Sequence, residues 1–225
     1  MPTTVRAEAT APRAVLWDMD GTLVDSREYH WRAWQTAMAA EGLPVTEAEF
    51  LASFGQRNDT ILSAWLGPAA EPERIRRIGD AKESEYRRLV ADEGIELLPG
   101  AGEWLRALRR AGWRQAIASA APRLNVEAIE RALALTEVMD ALVSAEDVRA
   151  GKPDPDVFLV AAARVGVAPE RCIVVEDAAA GIEAGRRAGM SCIGVGGEAL
   201  RAADIVVPSL DRLPPDAFDR LIEGG

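Results

Sequence analysis

Five short runs of apolar residues, separated by helical patterns, constrain the fold of this chain more than any other feature. The runs are AVLWD (14–18), RQAIAS (114–119), RCIVVED (171–177), SCIGVG (191–196) and ADIVV (203–207). Their apolar character is continuous rather than alternating, which is typical of parallel strands that are covered on both faces. The sequence therefore predicts a parallel sheet buried in the middle of the molecule.

Helical segments that end in glycine separate these predicted strands. Residues 101–111 carry an apolar stripe on one face, and Gly112 follows at a position typical of a helix C-cap. Segments that end at Gly166 and Gly189 repeat the pattern. Repeated helix–glycine–strand units favour right-handed β–α–β crossovers. We therefore expect an α/β fold with a doubly wound parallel sheet.

The segment between the first two predicted strands has a different pattern. Residues 27–96 contain several helical patterns and no convincing strand. The simplest explanation is a second, all-helical domain over 27–96, inserted after the first strand. The sheet domain then comprises 13–26 and 97–225, and residues 1–12 form a flexible N-terminal tail.

Composition narrows the possible partners. The 225-residue chain has 26 lysine and arginine residues against 36 aspartate and glutamate residues, and a formal net charge of -10. This charge disfavours nucleic acid and anionic membranes as partners, and no apolar run is long enough to cross a bilayer.

The single histidine argues against a usual zinc site. The two cysteines lead into apolar runs, and the start of the chain lacks a secretory signal, so we expect a cytoplasmic, reduced protein. Nothing demands a protein partner, and we expect a monomer.

Side chains able to carry chemistry follow the ends of three predicted strands and lie in one loop. They are Asp18 and Asp20 after the first run, Ser119 after the second, Glu176 and Asp177 after the third, and Lys152 in the loop GKPDPDVF. Because ligands of open parallel sheets bind beyond the carboxyl ends of the strands, we expect these side chains to converge. Lys152 and Lys82 are the only lysines of the chain, and an acidic protein needs a local cation to attract an anionic substrate.

The converging acids suit a divalent cation. Asp18, Asp177 and Glu176 offer hard carboxylate oxygens, which are the ligands that Mg²⁺ prefers, together with water and phosphate. A cation at this site would also relieve the repulsion between Asp18 and Asp20, which lie two positions apart in the sequence. The sequence therefore predicts a Mg²⁺ site held by these residues, with Glu176 as either a direct or a water-mediated ligand.

The remaining side chains fit phosphoryl transfer. Asp18 is placed to attack phosphorus as a covalent nucleophile. Asp20 would protonate the leaving oxygen and later activate water. Lys152 would neutralise a phosphate or the nucleophile, and Ser119 would donate a hydrogen bond to a phosphoryl oxygen. Asn125 either lines this site or caps the following helix, and we expect the helix cap.

Four motifs in order carry a resemblance to a known family. WDMDGTLVDS, the strand that ends at Ser119, GKPDPDVF and VVEDAAAGIEAG together resemble the motifs of the haloacid dehalogenase (HAD) superfamily. The helical insert resembles the cap of the branch that contains β-phosphoglucomutase and many sugar-phosphate phosphatases. The resemblance implies a Rossmann-like core, Mg²⁺, and an aspartyl-phosphate at Asp18. It also implies that the backbone carbonyl of Asp20 ligates the metal.

The predicted cap offers four candidate residues for substrate specificity. His30 matches a histidine that assists the acid–base residue in the mutase branch and also occurs in plain phosphatases. Phe54 and Gly55 stand where the mutase pattern resembles Lys-Gly, and Asn58 stands where that pattern has an arginine. Arg57 lies one position earlier and is placed to reach a substrate anion. The missing lysine argues against a mutase.

These observations predict a Mg²⁺-dependent phosphatase. Its substrate would be a small phosphorylated metabolite of the sugar-phosphate type, hydrolysed through an aspartyl-phosphate. A β-phosphoglucomutase-type mutase is the nearest alternative. A receiver-like signalling module, which also phosphorylates an aspartate in a doubly wound sheet, is an alternative of another class. The presence of Asp20 favours an enzyme that acts on phosphate esters over a dehalogenase and over a receiver. Only the alkoxide of an ester needs a proton donor in order to leave.

Overall fold

The computed structural model describes residues 11–197 and 200–223. Within these residues, six strands form one parallel sheet in the order β3-β2-β1-β4-β5-β6. The strands are β1 Ala14–Trp17, β2 Arg114–Ala118, β3 Ala141–Val143, β4 Cys172–Glu176, β5 Ser191–Val195 and β6 Ile205–Val207. The helices are α1 Arg27–Ala40, α2 Glu47–Ser53, α3 Asn58–Leu66, α4 Pro72–Glu93, α5 Ala101–Arg110, α6 Arg123–Ala132, α7 Asp156–Val165, α8 Ala179–Arg187 and α9 Ala217–Glu223. The predicted α/β class with a doubly wound parallel sheet is confirmed.

The order of the strands places a crevice beside β1. From β1 the chain builds β2 and β3 on one side, and then returns to place β4, β5 and β6 on the other. The strand order therefore reverses at the β1–β4 pair, and open α/β sheets bind ligands outside the carboxyl ends of the strands at such a point. The predicted acids Asp18, Glu176 and Asp177 lie at the carboxyl ends of β1 and β4.

Both faces of the sheet are buried, as the continuous apolar runs predicted. Side chains alternate between faces along a strand. In β1, Val15 and Trp17 pack into one hydrophobic cluster, and Ala14 and Leu16 pack into a second cluster on the opposite face. All four side chains are completely buried. This central strand consequently holds the residue that follows it, Asp18, at a fixed position.

The sequence prediction missed one strand. Ala141–Val143 forms β3 at the edge of the sheet, beside β2. It has only three residues, and two of them are partly exposed. The apolar run is therefore too short to stand out from the neighbouring loop.

Residues 27–96 contain the helices α1 to α4 and no strand. These helices have a hydrophobic cluster of their own, which includes Trp34, Phe50 and Leu62. Helix α1 packs along the long helix α4. The helical insert is thus present as expected, while the predicted domain boundaries remain a prediction.

The predicted flexible tail, residues 1–12, lies almost entirely outside the described residues. The carbonyl oxygens of Ala11 and Pro12 accept hydrogen bonds from Arg171. Cys172 and Cys192 are buried free thiols, and burial raises the pKa of each to about 12. No helix in the described part of the chain combines the length and the apolar character that crossing a bilayer requires.

Candidate active site

Three carboxylates meet where the strand order reverses. Asp18 directly follows β1, Glu176 ends β4, and Asp177 comes next. One ligand oxygen from each lies within 4.8 Å of the others. The predicted convergence of acids from two strand ends is therefore present in the folded chain.

Two glycines make this close approach possible. Gly21 has a φ of +88°, and a Cβ atom there would overlap the carboxylate of Asp177. A Cβ atom on Gly181, in the first turn of α8, would overlap the carboxylate of Glu176. Side chains other than hydrogen are excluded at both positions, so these glycines shape the space around the acids.

Lys152 reaches into the carboxylate cluster. Its ammonium donates to Oδ1 of Asp18 at 2.5 Å and also to Oε1 of Glu176. Burial alone would lower the pKa of Lys152, but the charges of the two carboxylates outweigh burial and raise it. Lys152 therefore keeps its positive charge and places it next to Oδ1 of Asp18.

The cluster carries more negative charge than Lys152 can balance. Burial, reinforced by Glu176 and Asp177, raises the pKa of Asp18 well above its ordinary value despite Lys152. Burial and the charge of Glu176 raise the pKa of Asp177 to about 7. With all three carboxylates ionised, one ammonium would leave two negative charges, which is the charge that one divalent cation neutralises. Hard oxygen ligands at this spacing fit Mg²⁺, and Asp18, Glu176 and Asp177 would hold it.

Asp20 lines the same cleft as the cluster, and its side chain contacts a different set of residues. Its Oδ1 accepts a hydrogen bond from Oγ of Ser26 at 2.5 Å and faces Nε2 of His30 at 3.3 Å. Burial would raise the pKa of Asp20, but the contacts with His30 and Ser26 outweigh burial and lower it. The side chain of Asp20 thus has a separate environment, and metal ligation by its backbone carbonyl remains a prediction.

Ser119 takes the predicted place after β2. It is buried, and its Oγ accepts a hydrogen bond from the backbone N–H of Ala121 at 3.0 Å. That arrangement leaves the hydroxyl hydrogen to be donated elsewhere. Ser119 lines the same cleft as Asp18 and Lys152, so its position is compatible with the predicted contact to a phosphoryl oxygen.

The four predicted specificity residues lie along a cleft of about 1190 Å³ between the helical segment and the sheet. His30, Phe54, Gly55 and Arg57 all line this cleft together with Asp18. The guanidinium of Arg57 spans the cleft to within 3.4 Å of the carbonyl oxygen of Ala145. Contact of these four residues with a substrate remains a prediction.

Sequence reasoning missed a buried charged pair in the wall of the cleft. Lys82 and Glu83 are 2% and 5% exposed, and their side chains form an ion pair at 2.8 Å. Nζ of Lys82 also lies 2.7 Å from Nδ1 of His30. A charge-rich stretch of helix normally faces solvent, which is why this pair was not predicted. The rarity of lysine in this chain was the feature that could have identified it.

The expected helix cap at Asn125 is wrong. Asn125 lies inside α6, and Pro122 occupies the N-cap position. The Asn125 side chain is completely buried. Its Nδ2 donates to Oε2 of Glu83 at 2.5 Å, and its Oδ1 accepts from Arg87 at 2.8 Å. Its role is to join α6 to the helix α4 that covers it.

Comparison with known proteins agrees with this geometry. A family model described as haloacid dehalogenase-like hydrolase matches residues 12–189. The chain belongs to this family. The predicted membership of the HAD superfamily, and the prediction that the chain is an enzyme, are therefore confirmed.

Relatives within the HAD family include both mutases and phosphatases. β-Phosphoglucomutase from Bacillus subtilis is 34% identical over 203 residues, which is 87% of this chain and 88% of that protein. Hexitol phosphatase A from Escherichia coli is 34% identical over 206 residues, or 89% and 93% of the two chains. The crystal structure of β-phosphoglucomutase from Clostridium difficile has a TM-score of 0.86 at 26% identity and covers 95% of this chain and 98% of its own. These relatives give no support to the receiver-like alternative.

Proposed function

We propose that this HAD hydrolase is a Mg²⁺-dependent phosphatase for a small phosphorylated metabolite of the sugar-phosphate class. The observation that carries the proposal is the arrangement around Asp18. One oxygen of its carboxylate is held by Lys152, two further carboxylates lie beside it, and a separate acid, Asp20, follows two residues later. The nucleophile Asp18 thus belongs to the cation site, and the proton donor Asp20 is a separate group that lines the same cleft.

The chemistry centres on the carboxylate of Asp18, whose Oδ1 is held by Lys152. One of its oxygens attacks phosphorus and forms an aspartyl-phosphate, and the bond to the leaving alkoxide breaks. Lys152 and the hydroxyl of Ser119 hold the phosphoryl oxygens in place. When bound, Mg²⁺ supplies positive charge that lessens the repulsion between Asp18 and the phosphate.

Proton transfer is assigned to Asp20. The departing alkoxide takes a proton from its carboxyl group, and the resulting carboxylate then removes a proton from the water that attacks the aspartyl-phosphate. Hydrolysis releases inorganic phosphate and restores Asp18. In the free protein the pKa of Asp20 is lowered, and the negative charge of an incoming phosphate would favour its protonated form.

Two residues that line the cleft favour hydrolysis over a mutase. Asn58, at the position of the mutase arginine, donates to Oε1 of Glu83 at 2.7 Å and is neutral. Phe54, at the position of the mutase lysine, packs against Phe50 and His30. A mutase must bind the phosphate that is not reacting, and these two side chains offer no charge for it. Incubation with glucose 1-phosphates distinguishes the two activities, because a phosphatase releases phosphate and a mutase yields an isomer.

The proposal includes the setting in which the protein works. A cytoplasmic monomer acting on a soluble metabolite, with neither nucleic acid nor membrane as partner, is in keeping with the net charge of -10.

Asp18→Asn is the direct test. The variant keeps the shape of the side chain and removes the nucleophile, so hydrolysis of p-nitrophenyl phosphate should fall by about 10³-fold or more. Turnover near that of the unmodified protein would contradict the assignment of Asp18. A screen of phosphorylated metabolites for phosphate release then identifies the substrate.

A further inference from the structure

Glu83 is the meeting point of a buried polar network. Its carboxylate accepts hydrogen bonds from Lys82 at 2.8 Å, Asn58 at 2.7 Å and Asn125 at 2.5 Å. These three donors come from α4, the start of α3, and α6. A buried carboxylate with so many donors is ionised, and despite burial the charge of Lys82 lowers the pKa of Glu83.

Lys82 fixes the direction of the next hydrogen bond. An ammonium group has no acceptor, so the 2.7 Å contact with Nδ1 of His30 requires Lys82 to donate and Nδ1 to accept. The proton of the imidazole then resides on Nε2, which faces Oδ1 of Asp20. The rings of Trp34 and Tyr86 lie 5.2 and 5.6 Å from Nζ of Lys82, as expected for a charged ammonium group.

We propose that Glu83 is a positioning residue for the acid–base carboxylate Asp20, acting through Lys82 and His30. Its carboxylate accepts a hydrogen bond from Lys82 and holds Nζ of Lys82 against Nδ1 of His30. Donation from Lys82 to Nδ1 selects the His30 tautomer that carries its hydrogen on Nε2, and this N–H donates to Asp20. The inference rests on the proposed function only in giving Asp20 the acid–base role.

Burial explains why the charge of Glu83 is needed. An ammonium group that is 2% exposed is costly to bury without a counter-charge, and Glu83 supplies that charge at 2.8 Å. Without Glu83, Nζ of Lys82 is no longer held against Nδ1 of His30, and the tautomer with hydrogen on Nδ1 is no longer excluded. His30 would then present a bare nitrogen to Asp20, and the two groups would repel.

Two further hydrogen-bond partners of Glu83, Asn58 and Asn125, connect these contacts to other parts of the protein. Asn58 begins α3, directly after the loop that carries Phe54 and Arg57. Asn125 is clamped between Glu83 and Arg87. The carboxylate is therefore placed correctly only when the loop, α4 and α6 are packed as they are here.

The single histidine makes a direct test possible. We would remove any affinity tag that contains histidine and record the imidazole ¹⁵N resonances of His30 by NMR at neutral pH. The unmodified protein should show one neutral tautomer, with hydrogen on Nε2 and Nδ1 as acceptor. Hydrogen on Nδ1 in the unmodified protein would overturn the proposal before any variant is made.

Glu83→Gln is the matching variant, and Glu85→Gln is its control. Glu85 lies on the same helix and pairs with Arg88 on the outer surface. The proposal expects Glu83→Gln to lose the single-tautomer pattern of His30, and Glu85→Gln to keep it. An unchanged His30 pattern in folded Glu83→Gln contradicts the proposal.

Kinetics then distinguish a misplaced Asp20 from a general loss of structure in the active site. Phenyl phosphate has a poorer leaving group than p-nitrophenyl phosphate and needs the proton of Asp20 more. In Glu83→Gln, kcat/KM for phenyl phosphate should fall about tenfold more than for p-nitrophenyl phosphate, and equal losses would indicate a structural role only. If the unmodified protein hydrolyses neither ester, the proposed function fails, and the NMR result alone decides the role of Glu83.

Discussion

At the scale of single residues, two acids in one short motif have opposite electrostatic environments. Asp18 lies among carboxylates, and burial with their repulsion raises its pKa. Asp20 receives hydrogen bonds from Ser26 and His30, which lower its pKa although it is buried. Two carboxyl groups whose environments differ in this way are suited to different roles in one reaction.

The proposed roles predict different kinetics for the two asparagine variants. Asp20→Asn keeps the nucleophile, and p-nitrophenolate leaves without help, so one equivalent should be released in a rapid burst. Steady-state turnover should then be about 10²–10⁴-fold slower, because no base activates water. Asp18→Asn should show neither burst nor turnover. Stopped-flow absorbance with substrate in excess over the enzyme measures both phases. Absence of a burst in Asp20→Asn would contradict the covalent route.

At the scale of elements, the sequence predicted what depends on local patterns. Continuous apolar runs predicted five strands. Acids at strand ends predicted the carboxylate cluster, because the carboxyl ends of parallel strands lie at the same edge of the sheet. The pattern failed where contacts join distant segments. Glu83 and Asn125 are 42 residues apart, and neither the helix periodicity of α4 nor that of α6 indicates that these side chains meet. The edge strand β3 was missed for another reason, since its apolar run is only three residues long.

The start of α8 offers a test of how an element shapes the site. In Gly181→Ala the new Cβ atom would overlap the carboxylate of Glu176, so that side chain must move away from Lys152. We expect activity and the apparent affinity for Mg²⁺ to fall by about 10–100-fold, measured as turnover against MgCl₂ concentration. Gly197→Ala is the control, because a Cβ atom at Gly197 meets no atom within 4 Å and activity should be kept. Normal Mg²⁺ dependence in Gly181→Ala would show that the position of Glu176 is unimportant.

At the scale of the whole molecule, the carboxylate cluster predicts that cation binding is coupled to folding. The pKa of Asp177 is raised from 3.8 to about 7 in the folded chain. A raised pKa means that the folded state holds a proton which the unfolded state releases. This contribution to stability is complete below the unfolded pKa and is lost as the pH rises through the folded pKa. Without a cation, the group therefore costs stability at and above neutral pH.

Mg²⁺ should reverse that loss, and only where Asp177 is ionised. Protons compete with the cation at about pH 5, so MgCl₂ should raise Tm little there and much more at about pH 8. At 100 times its Kd, Mg²⁺ should stabilise the fold by about 2.7 kcal/mol, or about 5–10 °C in Tm for a chain of this size. Calorimetry in MgCl₂ and in EDTA at both pH values measures the difference. Asp177→Asn should abolish most of the effect at the higher pH, since it removes a ligand and a charge that the cation neutralises. A Tm increase that is equal at both pH values would mean that Mg²⁺ binds elsewhere on this acidic chain.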